Sequence, residues 1–336
     1  MTTFHWGSLS ATACTVAGLL GAAWLLPAPG APTAAHASFP DPAPKHVANT
    51  ATGERTGEQM SYEDFAAETL ELADMDTAAG PMAQLLDYDL EAVIEGAKDV
   101  PRLTLVSLPG DLRVIRETNV RKTVFFKSVL PLVLQVNEQI VQDRARLWKL
   151  HAKVQNGMKL PAQDRLWLVV MATRYGVSRD DIPAMLARHD VVPPSLALAQ
   201  AATESAWGTS RFVREGNAMF GEWTFADNHK GIVPSDRGVG KNHRVRAFDS
   251  LYESVLSYVT NLNKHRAYKE FRVQRAAMRA KGQTLDGLVL AGALHRYSER
   301  GAAYVSELRT IISTNDLDML DRAQLSDSDG AFKPLI

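Results

Sequence analysis

The most constraining feature of this chain is a stretch of about thirty-five residues, Val120 to Val154, with no glycine and only one proline. Its apolar side chains (Phe125, Phe126, Val129, Leu130, Val133, Leu134, Ile140, Val141, Leu147) fall on a broad face. That predicts a long helix buried on that face and kinked at Pro131. Further helices follow along the chain. Gln163 to Tyr175 reads as a helix stopped by Gly176. Ser178-Arg179-Asp180-Asp181 caps a short helix reaching Ala187. Pro193-Pro194-Ser195 opens a helix from Leu196 to Glu204, with Ser195 as its cap. Ser250-Leu251-Tyr252-Glu253 is a capping box opening a helix to Asn263. Further helices are expected over Tyr268 to Ala280, from a cap at Thr284 to Arg296, and over Ala302 to Ser313. A short segment, Leu103 to Leu108, reads as a strand ending at Pro109-Gly110.

Between Thr209 and Val245 the helical period disappears. Gly216, Gly221, Gly231, Gly238 and Gly240 alternate with Phe212, Phe220, Trp223 and Phe225, the pattern of loops and a small β-hairpin. A long irregular insertion in a helical domain is usually functional. The fold class expected is therefore mainly α (α+β), a helical domain with a small β-lobe, preceded by a helical N-terminal region.

The first forty residues hold no Lys, Arg, Asp or Glu, and Leu9 to Leu26 are mostly apolar or small. Pro27, Pro29 and Pro32 break the run before Ala35-His36-Ala37, a small-x-small cleavage pattern. Residues 1–37 read as a secretory signal peptide, and the apolar run is also long enough for an uncleaved membrane anchor. No later stretch is expected to span a membrane; Lys127 and Pro131 interrupt Val124 to Val136. The proposed divisions are a Pro-rich linker at 38–60, a helical region at 61–158, the main domain at 159–316 and a loose polar tail at 317–336.

Composition excludes several classes. With 46% apolar and 22% charged residues the chain is not mostly disordered. A net charge of −1 gives no overall basic excess for nucleic acid. The single cysteine, Cys14, builds neither a disulfide framework nor a cysteine metal site. The nine histidines show no ligand spacing, and His229 and His243 are expected to be solvated loop residues. No phosphate-cradling glycine pattern occurs, so no metal or nucleotide cofactor is expected.

Glu204 stands out. It lies in the last turn of an otherwise uncharged helix, where the carbonyl end of the dipole disfavours negative charge. Trp207 and neighbouring alanines add desolvation. Both effects keep a carboxyl protonated near neutral pH, as a proton donor to a leaving sugar oxygen requires. An exposed glutamate before a capping glycine is the other local reading.

Leu198-Ala-Gln200-Ala-Ala-Thr-Glu204-Ser-Ala-Trp207-Gly208-Thr-Ser-Arg211 resembles the active-site helix of the glucosaminidase family, glycoside hydrolase family 73, which has a lysozyme-like fold. Gly216-Asn217-Ala-Met-Phe220-Gly221, Phe248-Asp-Ser250-x-x-Glu253-Ser254 and Tyr297-Ser-Glu-Arg-Gly-x-x-Tyr304 resemble further motifs of that family in order. Gly231-Ile-Val-Pro234-x-x-Arg237 and Asn261-Leu-Asn263-x-His265-x-Ala-Tyr268 are similar to the Bax-like bacterial envelope proteins within it. The resemblance spans about residues 100 to 315.

It implies an endo-β-N-acetylglucosaminidase acting on β-1,4 bonds of peptidoglycan glycan strands in the periplasm or cell envelope, free or tethered through the N-terminal segment. Glu204 matches the general acid and Tyr297 the active-site tyrosine. A second carboxylate would come from the β-lobe, where Asp236 sits at the expected distance and Glu222 and Asp227 are rivals. With none of them, the substrate's own acetamido oxygen would serve. Asp249 reads as a helix cap. Asn217, Phe220, Glu222, Trp223, Arg237 and Tyr304 form the candidate substrate-contact set, with Trp207 as a further stacking candidate. Phe220 and Trp223 are equally readable as packing residues, Trp207 and Tyr304 more readily so, and Asn217 as a turn former. A lytic transglycosylase and a non-catalytic wall-binding module are the alternative functions.

Overall fold

The computed structural model describes residues 88–110, 112–226, 228–235, 237 and 240–327. The signal or anchor at 1–37, the linker at 38–60, the helical pattern from Ser61 to residue 87, Asp227, Asp236 and the tail beyond residue 327 lie outside the described residues.

The described chain is mainly helical. Its α-helices are α1 (Leu90–Ile94), α2 (Thr118–Gln155), α3 (Ala162–Tyr175), α4 (Ile182–Arg188), α5 (Pro194–Ser205), α6 (Arg211–Gly216), α7 (Leu251–Lys264), α8 (Lys269–Ala280), α9 (Gly287–Ala291) and α10 (Ala302–Thr314). Three short strands, β1 (Trp223–Thr224), β2 (Gly231–Ile232) and β3 (Arg244–Arg246), form an antiparallel sheet with β3 in the centre. Trp223 pairs with Val245, and Ile232 pairs with Val245 from the other side.

Helix α2 runs unbroken through Pro131, and its middle from Val124 to Leu134 is buried throughout. It is long and apolar enough to cross a membrane by length and composition, contrary to the expectation that Lys127 and Pro131 disqualify it. Yet 78% of its most apolar window is buried inside the protein, so it serves as the central core helix. Buried Lys127 places its ammonium 5.7 Å from the Tyr88 ring centroid.

The main core joins α2 to α5, α7, α9 and α10, and so draws on both sides of the boundary expected at residue 158. A smaller core forms where the end of α2 meets α3 and α4, through Leu147, Leu150, Leu168, Met171, Tyr175, Ile182 and Met185. Between the two cores lies buried Asp190, ion-paired to Arg144 of α2 and to Arg275 and Arg279 of α8. Burial alone would raise its pKa; the three guanidiniums hold it below the usual carboxylate range.

Several local expectations are corrected. Leu103 to Leu108 forms no strand; it is irregular chain whose buried Leu103 and Leu105 face the core. The bridge in this region is the parallel pairing of Val100 with Leu325. Ser195 is not the cap of α5. It lies inside the helix, and its backbone N–H and hydroxyl donate to the Asp321 carboxylate at 2.9 and 2.8 Å. Asp321 also accepts from the Gly287 N–H at 3.1 Å, so one C-terminal side chain caps two helix starts. The segment after Asp318 is accordingly not loose up to Arg322: Leu317–Arg322 is a 3-10 helix with Leu317 and Leu320 fully buried. Thr284 does not open the next helix; Asp286 caps α9, which gives way after Ala291 to a 3-10 turn, Gly292–Leu294. Asp249 pairs with Lys230 while Ser250 caps α7. Ser250 Oγ accepts from the Glu253 N–H at 3.2 Å, as the capping box predicts, while the Glu253 carboxylate accepts from the N–H of Asp249, one residue before the cap, at 3.1 Å.

Candidate active site

Helix α5 is small-residue-rich and buried on almost every side from Pro194 to Ala202. Pro194 at its first turn donates nothing, and Asp321 satisfies the Ser195 donor there. Its other end is unusual. Ala206, Trp207 and Gly208 are three successive residues with positive φ, at 50°, 58° and 77°. Left-handed backbone at a non-glycine residue costs about 1 kcal/mol or more, so two such residues need support. Helix α2 supplies it. The Trp207 ring meets Phe125 and Phe126 edge-on at 6.0 and 5.5 Å, and Lys122 Nζ lies 4.9 Å from its centroid. Gly208 is walled in: a Cβ there would stand 2.6 Å from Leu108 and 2.8 Å from Leu112. Trp207 is thus a clamp on this turn rather than a sugar platform.

The turn leaves Glu204 half-buried in the last turn of α5. Its carboxyl is raised from 4.5 to about 7, chiefly by burial, with the Glu307 charge adding to it and the Tyr304 hydrogen bond and Arg300 opposing it. The sequence expectation of a protonated acid near neutral pH rests on this same desolvation.

Tyr304, from α10, donates its hydroxyl proton to Glu204 Oε1 at 2.9 Å. The direction of that bond is set one turn back. Gln200 Oε1 accepts from the Tyr258 hydroxyl at 2.7 Å, and Gln200 Nε2 donates to the Tyr304 oxygen at 2.9 Å. With its lone pairs engaged by the amide, Tyr304 turns its own proton to Glu204. Oε1 is therefore the acceptor, and the acid's proton belongs on Oε2. The packing reading of Tyr304 understates it: the residue is buried, and it orients the acid.

Tyr297 lies parallel to Tyr304, with ring centroids 5.5 Å apart and planes at 2°, and Tyr268 continues the row at 5.6 Å. Burial raises the Tyr297 phenol far above its ordinary value, and the Glu204 charge adds to it. The two tyrosines of the C-terminal motif are thus brought to the acid together.

The lobe residues divide. Phe220 is buried and stacked on Tyr258 at 3.8 Å, which makes it a core residue and removes it from sugar stacking. Trp223 is half-buried and carries His243 stacked on its ring at 4.2 Å. His243 is buried, against the expectation of a solvated residue, while half-buried His229 places Nδ1 2.9 Å from Thr224 Oγ1. Asn217 caps α6 at φ 51°, and its amide donates to Phe248 O at 3.2 Å, tying the entry of the lobe to its exit. The Arg237 guanidinium donates to His243 O at 3.3 Å. Glu222 accepts from Ser257 of α7 at 2.8 Å. Asp236, the first choice for a second carboxylate, and Asp227 lie outside the described residues. Among the described residues no group of three or more His, Cys, Asp or Glu is placed to hold a metal ion.

A family model described as "Glucosaminidase: Mannosyl-glycoprotein endo-beta-N-acetylglucosaminidase" matches residues 181–317, the stretch that holds α5, the lobe and both tyrosines. Protein bax of Escherichia coli (strain K12) is 35% identical over 215 residues, 62% of this chain and 74% of that protein. The chain belongs to the glucosaminidase family. No solved structure matches it at a significant level.

Sequence reasoning gave no role in this glucosaminidase domain to Gln200, Tyr258, Ser257 and Tyr268. For Gln200 a signal existed. It is the one amide in a helix of alanines and leucines, four residues before Glu204 and hence on the same face. The other three are visible only once α7 and the 3-10 turn Arg266–Tyr268 are laid against α5.

Proposed function

We propose that this chain is a peptidoglycan hydrolase, an endo-β-N-acetylglucosaminidase that cleaves β-1,4 bonds at N-acetylglucosamine with Glu204 as general acid. The observation that carries the reading is the half-buried Glu204 carboxyl, raised to about 7 and fixed through Oε1 by Tyr304. A carboxyl in that state holds a proton at neutral pH and presents it from its other oxygen. Membership of the glucosaminidase family supports the glycosidic bond as its target. In the reaction, Glu204 gives its proton to the leaving sugar oxygen as the anomeric C–O bond breaks. Tyr297, stacked beside Tyr304, would hydrogen-bond the acetamido group or a water at the anomeric carbon. Export follows from the substrate: the apolar N-terminus would carry the enzyme to the periplasm or cell envelope, cleaved or retained as a tether.

Two measurements test this. Digestion of purified sacculi followed by mass spectrometry should give reducing N-acetylglucosamine ends. Anhydro-muramic ends would instead mean lytic transglycosylase chemistry, and binding without products would mean a wall-binding module. On soluble glycan strands, Glu204→Gln should fall by on the order of two to four decades, the usual weight of acid catalysis. A folded variant keeping more than about a tenth of wild-type activity removes Glu204 from the role.

A further inference from the structure

The sugar whose oxygen takes the Glu204 proton carries a charge of its own close by. In peptidoglycan the β-1,4 bond at N-acetylglucosamine joins its anomeric carbon to O4 of N-acetylmuramic acid. The adjacent O3 bears a lactyl ether that ends in a carboxyl group, ionised in strands stripped of their peptides. Leaving oxygen and lactyl ether sit on neighbouring ring carbons, so a cation beside the general acid stands within reach of that carboxylate. We infer that Arg300, clamped by Glu307 alongside Glu204, binds the lactyl carboxylate of the departing muramic acid residue. This inference rests on the glucosaminidase reading above and names the sugar recognised on the leaving side of the bond.

The placement follows from Tyr304. Its hydroxyl reaches Glu204 Oε1 at 2.9 Å from the first turn of α10, which starts at Ala302. Glu307 lies three residues further on and so shares that face of the helix. Arg300 lies two residues before the helix, and its Nη2 donates to Glu307 Oε2. The ion pair therefore runs alongside the tyrosine that holds the acid. Glu204 feels both of its charges: Arg300 opposes the rise of the carboxyl and Glu307 adds to it. The Arg300 side chain is 36% exposed and that of Glu307 35%, so the pair reaches solvent where Glu204 is half-buried.

Arg300 is also fixed at its base. Its backbone N–H donates to Ser298 Oγ at 3.3 Å, and its carbonyl accepts from the Ala303 N–H at 3.1 Å. The Gly301 N–H donates to Ser298 O at 3.1 Å, which closes the turn between the two tyrosines of the C-terminal motif. A guanidinium carries five donors in a planar fork, and the Glu307 bond draws on one of its nitrogens. The other donors suit a second carboxylate, and the fork sets its orientation. Glu307 thus aims the group without using it up.

The test uses the full chain and two substrates that differ in one group. One is soluble glycan strands freed of stem peptides; the other is the same strands with their lactyl carboxyls converted to methylamides. Assays run at about pH 5.5, below the Glu204 titration, so that the acid is protonated in every variant. Wild type should show a KM about tenfold higher on the methylamide strands, with kcat changed by less than about twofold, because the contact is made equally before and during bond cleavage. Arg300→Gln should show that higher KM on both strands, so that the two changes do not add. Arg300→Lys, with the charge but not the fork, should recover part of the difference. If wild type handles both strands with one KM, the inference is wrong whatever the variants do. It is equally wrong if Arg300→Gln still prefers the carboxylate strands, or loses kcat alike on both, which would make Arg300 a support for Tyr304 alone. Reducing N-acetylglucosamine ends from wild type, with Glu204→Gln inactive on both strands, keep the glucosaminidase reading in place when this inference falls. No cleavage of either strand by wild type takes both down.

Discussion

Glu204 carries two opposed consequences of one environment. Burial lifts its carboxyl to about 7, so the folded state holds a proton between about pH 4.5 and 7 that the unfolded chain releases. Stability therefore falls as pH rises through that window, and above it the site costs on the order of 2–3 kcal/mol. Glu204→Gln, which cannot ionise, should melt higher than wild type at pH 8 and the same at pH 4, measured by thermal unfolding. Activity should fall over the same range, with the alkaline limb of kcat/KM near 7. Tyr304→Phe tests the hydrogen bond that lowers this value: without it the alkaline limb should move to higher pH. Gln200 Nε2 would also lose its acceptor at a cost of about 1–3 kcal/mol. Glu204 was half legible: its lone place in an apolar helix left a protonated acid and an exposed glutamate both open, and the motif resemblance chose between them. Tyr304 was harder, because its partner lies one hundred residues away.

At the scale of elements, local signals fixed what local chemistry controls. Asp181 and Ser250 cap the helices they precede, and Gly176 ends α3 in the left-handed conformation. Ser195 and Thr284 misled because the N–H groups at those helix starts donate to the carboxylates of Asp321 and Asp286. A cap delivered from 126 residues downstream leaves no trace in the sequence around the helix. Asp321→Ala should unpair the Ser195 and Gly287 N–H groups together and destabilise the protein by about 2–4 kcal/mol in chemical denaturation. The turn after α5 makes a second prediction. Gly208→Ala puts a methyl group against Leu108 and Leu112 at a positive φ. It should cost about 2–4 kcal/mol from overpacking and backbone strain combined. Its loss of activity should exceed the loss expected from unfolding alone, because the displaced turn carries Glu204.

For the whole molecule, the central helix decides what can be removed. A chain beginning at Lys159 keeps the site residues and discards α2, including Phe125, Val129, Leu130, Val133 and Val136, all fully buried. Each such side chain contributes about 1.5–3 kcal/mol, and their sum exceeds the net stability of a domain. That truncation should yield no cooperative unfolding transition by circular dichroism. The amphipathic pattern of α2 was readable from the sequence. Its place at the centre was not, because periodicity shows which face is apolar and says nothing of what packs there.

The same helix has a consequence for synthesis. Its helical partners α5, α7, α9 and α10 all lie downstream, so α2 leaves the ribosome before most of what covers it. During that interval it is a segment of membrane-spanning length and composition in search of an apolar phase. Lys127 and Pro131, harmless once the fold is complete, then act as brakes: an uncovered ammonium and a broken hydrogen-bond ladder both penalise a lipid-embedded helix. Replacing the two with Leu and Ala should divert part of the newly made protein into the bilayer, seen as carbonate-resistant material in membrane pellets.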